Sequence, residues 1–131
     1  MFLSEVHVAN FRAIGRATLR LGASTMLIGE NGCGISSLLA ALELALGKGA
    51  PHVSAADVHR PGGGVPSAEP VLIRLTFTER AENLWSSAWH APLHAHLSAQ
   101  AGPRRFVLEF STSAPGSGQV SRLQVRAAGL R

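Results

Sequence analysis

Lysine, aspartate and cysteine each occur once in these 131 residues, as Lys48, Asp57 and Cys33. A lone cysteine excludes an internal disulfide framework, which fits a reducing compartment. Charge is scarce as well: charged residues make up 15% of the chain and apolar ones 46%, so it reads as one globular domain with a real core. No apolar run approaches the roughly 20 residues that span a bilayer. Met1-Phe2-Leu3-Ser4-Glu5 carries an acid where a signal peptide needs a basic stretch. The expectation is a cytoplasmic protein without a membrane partner.

The net charge of +4 comes from eleven arginines, Lys48 and eight acids. The arginines are dispersed, with Arg104-Arg105 the only adjacent pair. That pattern suits a mildly basic solvated surface better than a nucleic-acid stripe, and it leaves DNA contact open.

What the chain does have is a glycine-rich stretch, Gly29-Glu30-Asn31-Gly32-Cys33-Gly34-Ile35-Ser36-Ser37, followed by Leu38-Leu39-Ala40-Ala41-Leu42. It has the frame of a phosphate-binding P-loop, G-x-x-x-x-G-K-[ST], with Ile35 at the lysine position. A tight strand-to-helix turn aims successive backbone N–H groups into one concavity, and Gly32 and Gly34 allow it to form without an intervening Cβ. The helix N-terminus adds a partial positive charge directed at the anion. Residues Gly29 to Ser37 are the candidate nucleotide-binding set, and Ser36 occupies the place of the magnesium-binding hydroxyl. The lysine of a working loop bridges the β- and γ-phosphates and neutralises charge as the γ-phosphoryl departs, which isoleucine cannot do.

Along the chain, Leu3–Val8 and Arg16–Leu21 alternate as strands around a turn at Asn10–Gly15. Ser24–Ile28 reads as a short buried strand delivering the backbone into the loop. A helix is expected from about Ser36 to Leu46, apolar enough to pack on most of its circumference, with Gly47 closing it. Lys48–Pro70 is loop, most flexible at Pro61–Pro66. In Val71–Thr78 the residues Val71, Ile73, Leu75 and Phe77 share one face of a strand. Short helical pieces are expected over Glu79–Gln100, interrupted near Pro92. Phe106–Ser111 and Gln119–Arg126 form an antiparallel hairpin turning through Ala114–Gly118.

The Asn10-Phe11-Arg12 turn between two strands, the Gly-Glu-Asn-Gly-x-Gly-x-Ser-Ser-Leu-Leu loop and its helix resemble the N-terminal lobe of RecF/SMC-like ABC-type ATPases. The spacing onward to Asp57-Val58-His59 and to Leu75-Thr76-Phe77-Thr78-Glu79 is most similar to the OLD family of ATP-dependent endonucleases, over about residues 1–80. The resemblance implies an α/β P-loop NTPase fold: an incomplete ABC-type head with a mixed sheet, the P-loop helix and an antiparallel β-subdomain. Residues 1–131 would be a single partial domain, with the matching lobe at 1–80 and a helical piece plus hairpin at 81–131. It implies ATP and Mg²⁺ as cofactors and Arg12 as a nucleotide contact. As partners it implies the C-terminal half of the head, a Toprim nuclease domain, a homodimer and DNA. The later acids of such a head are not in these residues. Asp57 is the only aspartate, and the approach to it, His52-Val53-Ser54-Ala55-Ala56, is too short and polar for a Walker B strand. No residue is therefore assigned as catalytic.

Other constellations read more plainly. His90, His94 and His96 have ligand-like spacing, but Pro92 interrupts them and no acid lies nearby, so edge histidines are expected. Cys33 sits near a helix N-terminus without an evident base. Arg12 is either a nucleotide contact or a solvated turn residue. Asp57 either closes the site or caps a turn. Trp85 and Trp89, four apart, anchor a helix to the β-layer. Two functions follow. One is the ATP-binding segment of an OLD-like endonuclease or RecF-like repair ATPase, hydrolysis-deficient because of Ile35 and because these residues hold no Walker B or signature motif. The other is a non-catalytic remnant or regulatory module with a degenerate loop.

Overall fold

The alternation in residues 71–78 sets the layering of the computed structural model, which describes residues 2–47, 52–79, 105–112 and 123–127. Strands β1 (Phe2–Phe11), β2 (Ile14–Arg20), β3 (Leu72–Thr78), β4 (Arg105–Ser111) and β5 (Leu123–Ala127) form one sheet in the order β2-β1-β3-β4-β5. Register places Val6 beside Leu75, Val8 beside Ile73, and Ile73 beside Phe110, all on one face. Val8, Ile73, Leu75 and Phe110 are fully buried there, and Val6, Val71 and Phe11 nearly so. Each such aliphatic side chain contributes about 1.5–3 kcal/mol by leaving water.

The opposite face is polar because its residues fall on the other parity. His7 is flanked by Thr18 and Arg74, and Arg74 by Glu109. Arg74 and Glu109 pair at 2.8 Å, and His7 Nδ1 lies 2.7 Å from the Thr18 hydroxyl. Burial and then the nearby Arg74 and Arg16 charges hold the His7 imidazole below its ordinary pKa. At the far end the register shifts between Leu3 and Glu5, and the Ser4 hydroxyl there donates to the Thr76 carbonyl at 3.0 Å.

Helix α1 (Ile35–Leu46) lies against the apolar face. Ser37, Leu38 and Ala41 are its buried residues, whereas Leu39 and Leu46 are more than half exposed. The helix is thus packed along a stripe rather than around most of its circumference. One layer of sheet covers only one side of a helix, and the sequence spreads leucine further than that layer reaches.

Several expectations are met closely: α1 begins one residue before the expected start, and β3 and β4 each match within one residue. The first strand runs on through Asn10 and Phe11, which narrows the turn to Arg12 and Ala13. The main correction is Ser24–Ile28. It forms no strand; Met26 is 82% exposed and Ile28 86%. A strand needs a neighbour to take its N–H and C=O groups, and none of the five strands lies beside it in hydrogen-bonding register. All four strand-to-strand pairings among the described residues are antiparallel, so the parallel component of the expected mixed sheet is not among them. The hairpin strands pair as expected, with β5 starting at Leu123. Apart from Glu79, which is not helical, the segment of the expected helical pieces at 79–100 lies outside the described residues, as do the turn at 114–118, His90, His94, His96, Trp85 and Trp89.

Candidate functional site

The Gly29–Ser37 loop closes on itself before α1 begins. Gly32 has φ 87° and Gly34 φ 100°, the left-handed region that a side chain disfavours. The Cys33 amide donates to the Glu30 carbonyl at 3.2 Å, which tightens the turn. At Gly29 the constraint is different: a Cβ there would strike Cys33 Sγ and come within 3.2 Å of Ile35 Cδ1, so both side chains would have to turn to admit it.

Gly34 occupies the cap position of α1 and no side chain caps the helix. The first intrahelical bond runs from the Leu38 amide to the Gly34 carbonyl at 2.9 Å, so the amides of Ile35, Ser36 and Ser37 have no helical acceptor. These residues, with Gly29, Glu30, Asn31, Gly32, Gly34 and Ala13, line a cavity of about 250 Å³. Eight of the nine predicted loop residues are therefore brought together. The ninth, Cys33, is exposed and lines a second, more apolar cavity of about 370 Å³ between the loop, Leu27, Ile28 and β2. Among the described residues Glu30 is the only charged one on the first cavity's wall, and Ile35 lines both cavities. The geometry suits an anion held by backbone donors and the Ser36 hydroxyl, without a cationic side chain. Among the described residues no three His, Cys, Asp or Glu side chains cluster closely enough to hold a metal ion.

Arg12 and Asp57, each given two readings from sequence, meet. Arg12 Nε donates to Asp57 Oδ1 at 2.9 Å, the Arg12 amide donates to the Asp57 carbonyl at 2.7 Å, and the guanidinium lies 5.2 Å from the Phe11 ring centre. Arg12 does not line the 250 Å³ cavity; its neighbour Ala13 does, and the Ala13 amide donates to the Ser37 hydroxyl at 3.3 Å. Asp57 is also a turn cap, since its Oδ2 accepts from the Ser54 amide and hydroxyl, both at 2.9 Å. Burial alone would push the Asp57 carboxyl up, but the Ser54 amide, the Arg12 guanidinium and the Ser54 hydroxyl outweigh it and hold it below its usual range.

Residues that sequence reasoning gave no role complete this arrangement. His59 donates its amide to the Asn10 carbonyl at 3.1 Å, and its Nδ1 lies 2.7 Å from the Arg12 carbonyl, so the ring carries its proton there. The Asn10 side-chain amide donates to the Glu69 carbonyl, and Phe11 bridges to Val58. Asn10 at φ 62° and Arg12 at φ 49° are non-glycine residues in the left-handed region, each costing on the order of 1 kcal/mol. The bonds to residues 57–59 and 69 hold them there. A signal existed: Asp-Val-His falls between the loop and β3 in the sequence, but nothing in its letters says which turn it meets.

The comparisons agree with a shared ancestry over this whole region. A family model described as a protein of unknown function, DUF2813, matches residues 1–124, and the chain belongs to that family. The "Uncharacterized protein YbjD" of Escherichia coli (strain K12) is 38% identical to it over 98 residues, 72% of this chain. That stretch is 18% of the relative's length, so the chain spans less than a fifth of the protein it matches. No helix among the described residues is long and apolar enough to cross a membrane.

Proposed function

We propose that the Gly29–Ser37 loop is a phosphate cradle, and that the chain is the nucleotide-binding N-terminal lobe of a P-loop, ABC-type ATPase head of the OLD-like, RecF/SMC-like kind. One observation carries the reading. Two left-handed glycines and an uncapped helix start enclose a cavity lined by Gly29, Gly32, Gly34 and the first residues of α1. ATP phosphates would sit against the amides of Gly32, Gly34, Ile35, Ser36 and Ser37, with Mg²⁺ reached by the exposed Ser36 hydroxyl. The bound metal would draw charge from the β- and γ-phosphates. With Ile35 in place of lysine, this copy is proposed to bind weakly and not to hydrolyse.

In a longer protein such a lobe would act with a C-terminal half carrying the Walker B acids, with a Toprim nuclease domain, as a homodimer and on DNA in the cytoplasm. The bare segment 24–28 favours such a completion, because a neighbouring strand there would pair its backbone and lie beside Met26 and Ile28, whose apolar side chains are in water. The second reading is a non-catalytic or regulatory module. It is favoured by Ile35, whose Cδ1 lies close to Gly29 and fills the loop with methyl groups rather than charge.

Isothermal titration of MgATP into the parent chain and into Ile35→Lys tests the proposal. The parent should bind at best weakly, and the lysine variant at least about tenfold tighter, the value of one charge-assisted contact. Equal or absent binding in both would rule out the loop as a nucleotide site. ATP turnover by the parent chain alone would instead rule out the hydrolysis-deficient reading.

A further inference from the structure

We propose that the open edge of β2 is a docking site for an extended partner segment in which acidic and apolar residues alternate. The acids of that segment pair with Arg16 and Arg20 on one face of the edge, and its apolar side chains enter the 370 Å³ cavity on the other. Nothing in this depends on a nucleotide at the Gly29–Ser37 loop.

Strand β2 ends the sheet order, with β1 on one side and no strand on the other among the described residues. The Leu21 amide donates to the Ser4 carbonyl at 2.8 Å, and the register runs without a shift from Glu5–Arg20 to Ala9–Arg16. Bonding alternates along an antiparallel pair, so Leu19 and Ala17 turn their main chain to β1 while Arg16, Thr18 and Arg20 turn theirs outward. Those outward N–H and C=O groups are a template for one more strand. The two faces of the edge differ. Arg16, Thr18 and Arg20 are exposed on the polar face. Arg16 forms no ion pair among the described residues, and Arg20 has only a 3.8 Å contact with Glu5 while its side chain stays 90% exposed. The other acid of that face among the described residues, Glu109, is already bound to Arg74 at 2.8 Å. The uncompensated charge of the edge is therefore positive and suits carboxylates. On the opposite face Ala17 and Leu19 border the cavity that they share with Leu27, Ile28, Ile35 and Leu38. Charges on an edge strand commonly serve only to repel other strands, and that role leaves the apolar cavity beside them without a purpose.

Other occupants answer fewer of these features. A second copy of β2, paired antiparallel about Thr18, would set Arg16 opposite Arg20 on both sides, and like charges directly opposite destabilise a sheet. A nucleic-acid backbone meets the arginines but supplies neither strand hydrogen bonds nor side chains for the cavity. An alternating acidic–apolar strand meets all three, with affinity from the main chain and specificity from alternate side chains.

The probe is a fluorescein-labelled heptapeptide, EVEVEVE, titrated into the full chain and read by anisotropy. It should bind at least about tenfold tighter than EEEEVVV, which has the same composition in blocks, and than KVKVKVK. Arg16 and Arg20 are both exposed, so the fold tolerates their reversal; Arg16→Glu with Arg20→Glu should weaken EVEVEVE about tenfold and favour KVKVKVK. Methylating one alternate set of the peptide's amides should abolish binding, and methylating the other set should leave it intact. In hydrogen exchange the amides of Arg16, Thr18 and Arg20 should be unprotected in the free chain and protected with the peptide. The proposal is overturned if EVEVEVE binds no better than the block peptide, if charge reversal leaves its affinity unchanged, or if both methylated sets behave alike. Protection of those three amides without peptide would mean that a second copy already lies on the edge, and overturns it too. Binding of duplex DNA that depends on Arg16 and Arg20, without discrimination among the peptides, would reassign the face to a nucleic acid.

Discussion

Residues 71–77 and residues 24–28 are both rich in aliphatic side chains, yet Ile73 and Leu75 are fully buried while Met26 and Ile28 are more than 80% exposed. What separates them is partnership. Strand β3 has β1 on one side and β4 on the other, and its inward face meets Val6, Val8 and Phe110. The segment before the loop has the composition of an inner strand and no strand beside it among the described residues. Apolar composition records where a side chain is stable, and burial additionally needs something to lie against. The first region is covered on both edges by neighbouring strands, and the second is not covered among the described residues.

The largest expected effect contrasts the two regions directly. Phe110→Ala should cost about 3–5 kcal/mol in urea unfolding, the usual result of a large cavity in a packed core. Ile28→Ser should change stability by less than about 0.5 kcal/mol and should reduce self-association measured by light scattering. If the parent chain is a monodisperse monomer, or if Ile28→Ser destabilises it as severely as Phe110→Ala, the segment is not the uncovered surface described above.

A smaller effect belongs to the loop that follows this segment. Gly34→Ala places a Cβ on a residue at φ 100° and should cost roughly 1–2 kcal/mol, again read by urea unfolding. A neutral outcome would mean that the left-handed turn, and with it the cradle, is not maintained in solution.

The smallest effect concerns the tie between β1 and the Ser54–His59 segment. The Asp57 carboxyl titrates below its ordinary value of roughly 4, so folding favours the charged form. Its contribution is complete above about pH 4 and is lost as the pH falls through the depressed folded value. The stability gap between the parent and Asp57→Asn should therefore be constant from pH 7 to 5 and shrink below pH 4. A gap that widens on acidification would mean that Asp57 is not held by Ser54 and Arg12.

How much of this was legible in the sequence depends on how local each cause is. Period-two alternation marked β3 and β4, and apolar spacing with Gly47 marked α1, because those signals lie within the elements themselves. The tight loop was legible from its glycines, two of which, Gly32 and Gly34, take the positive φ that a side chain disfavours. The Arg12–Asp57 contact was not, since 45 residues separate the partners and each had a sufficient local explanation as a turn residue. His59 was missed for the same reason. Ser24–Ile28 was misread because alternation and hydrophobicity describe what a strand would bury and say nothing about whether a neighbour is there. Leu39 and Leu46 mark the same failure on the helix.

The central proposal is that the Gly29–Ser37 loop has the backbone of a phosphate site, with isoleucine where a lysine would strengthen it. Amide chemical-shift mapping of ¹⁵N-labelled Ile35→Lys chain during a MgATP titration tests it most directly. The account predicts that the largest shifts fall on the amides of Gly32, Gly34, position 35, Ser36 and Ser37, with the same amides moving weakly in the parent chain. Shifts centred elsewhere on the sheet, or no shifts at saturating MgATP in the lysine variant, would contradict it.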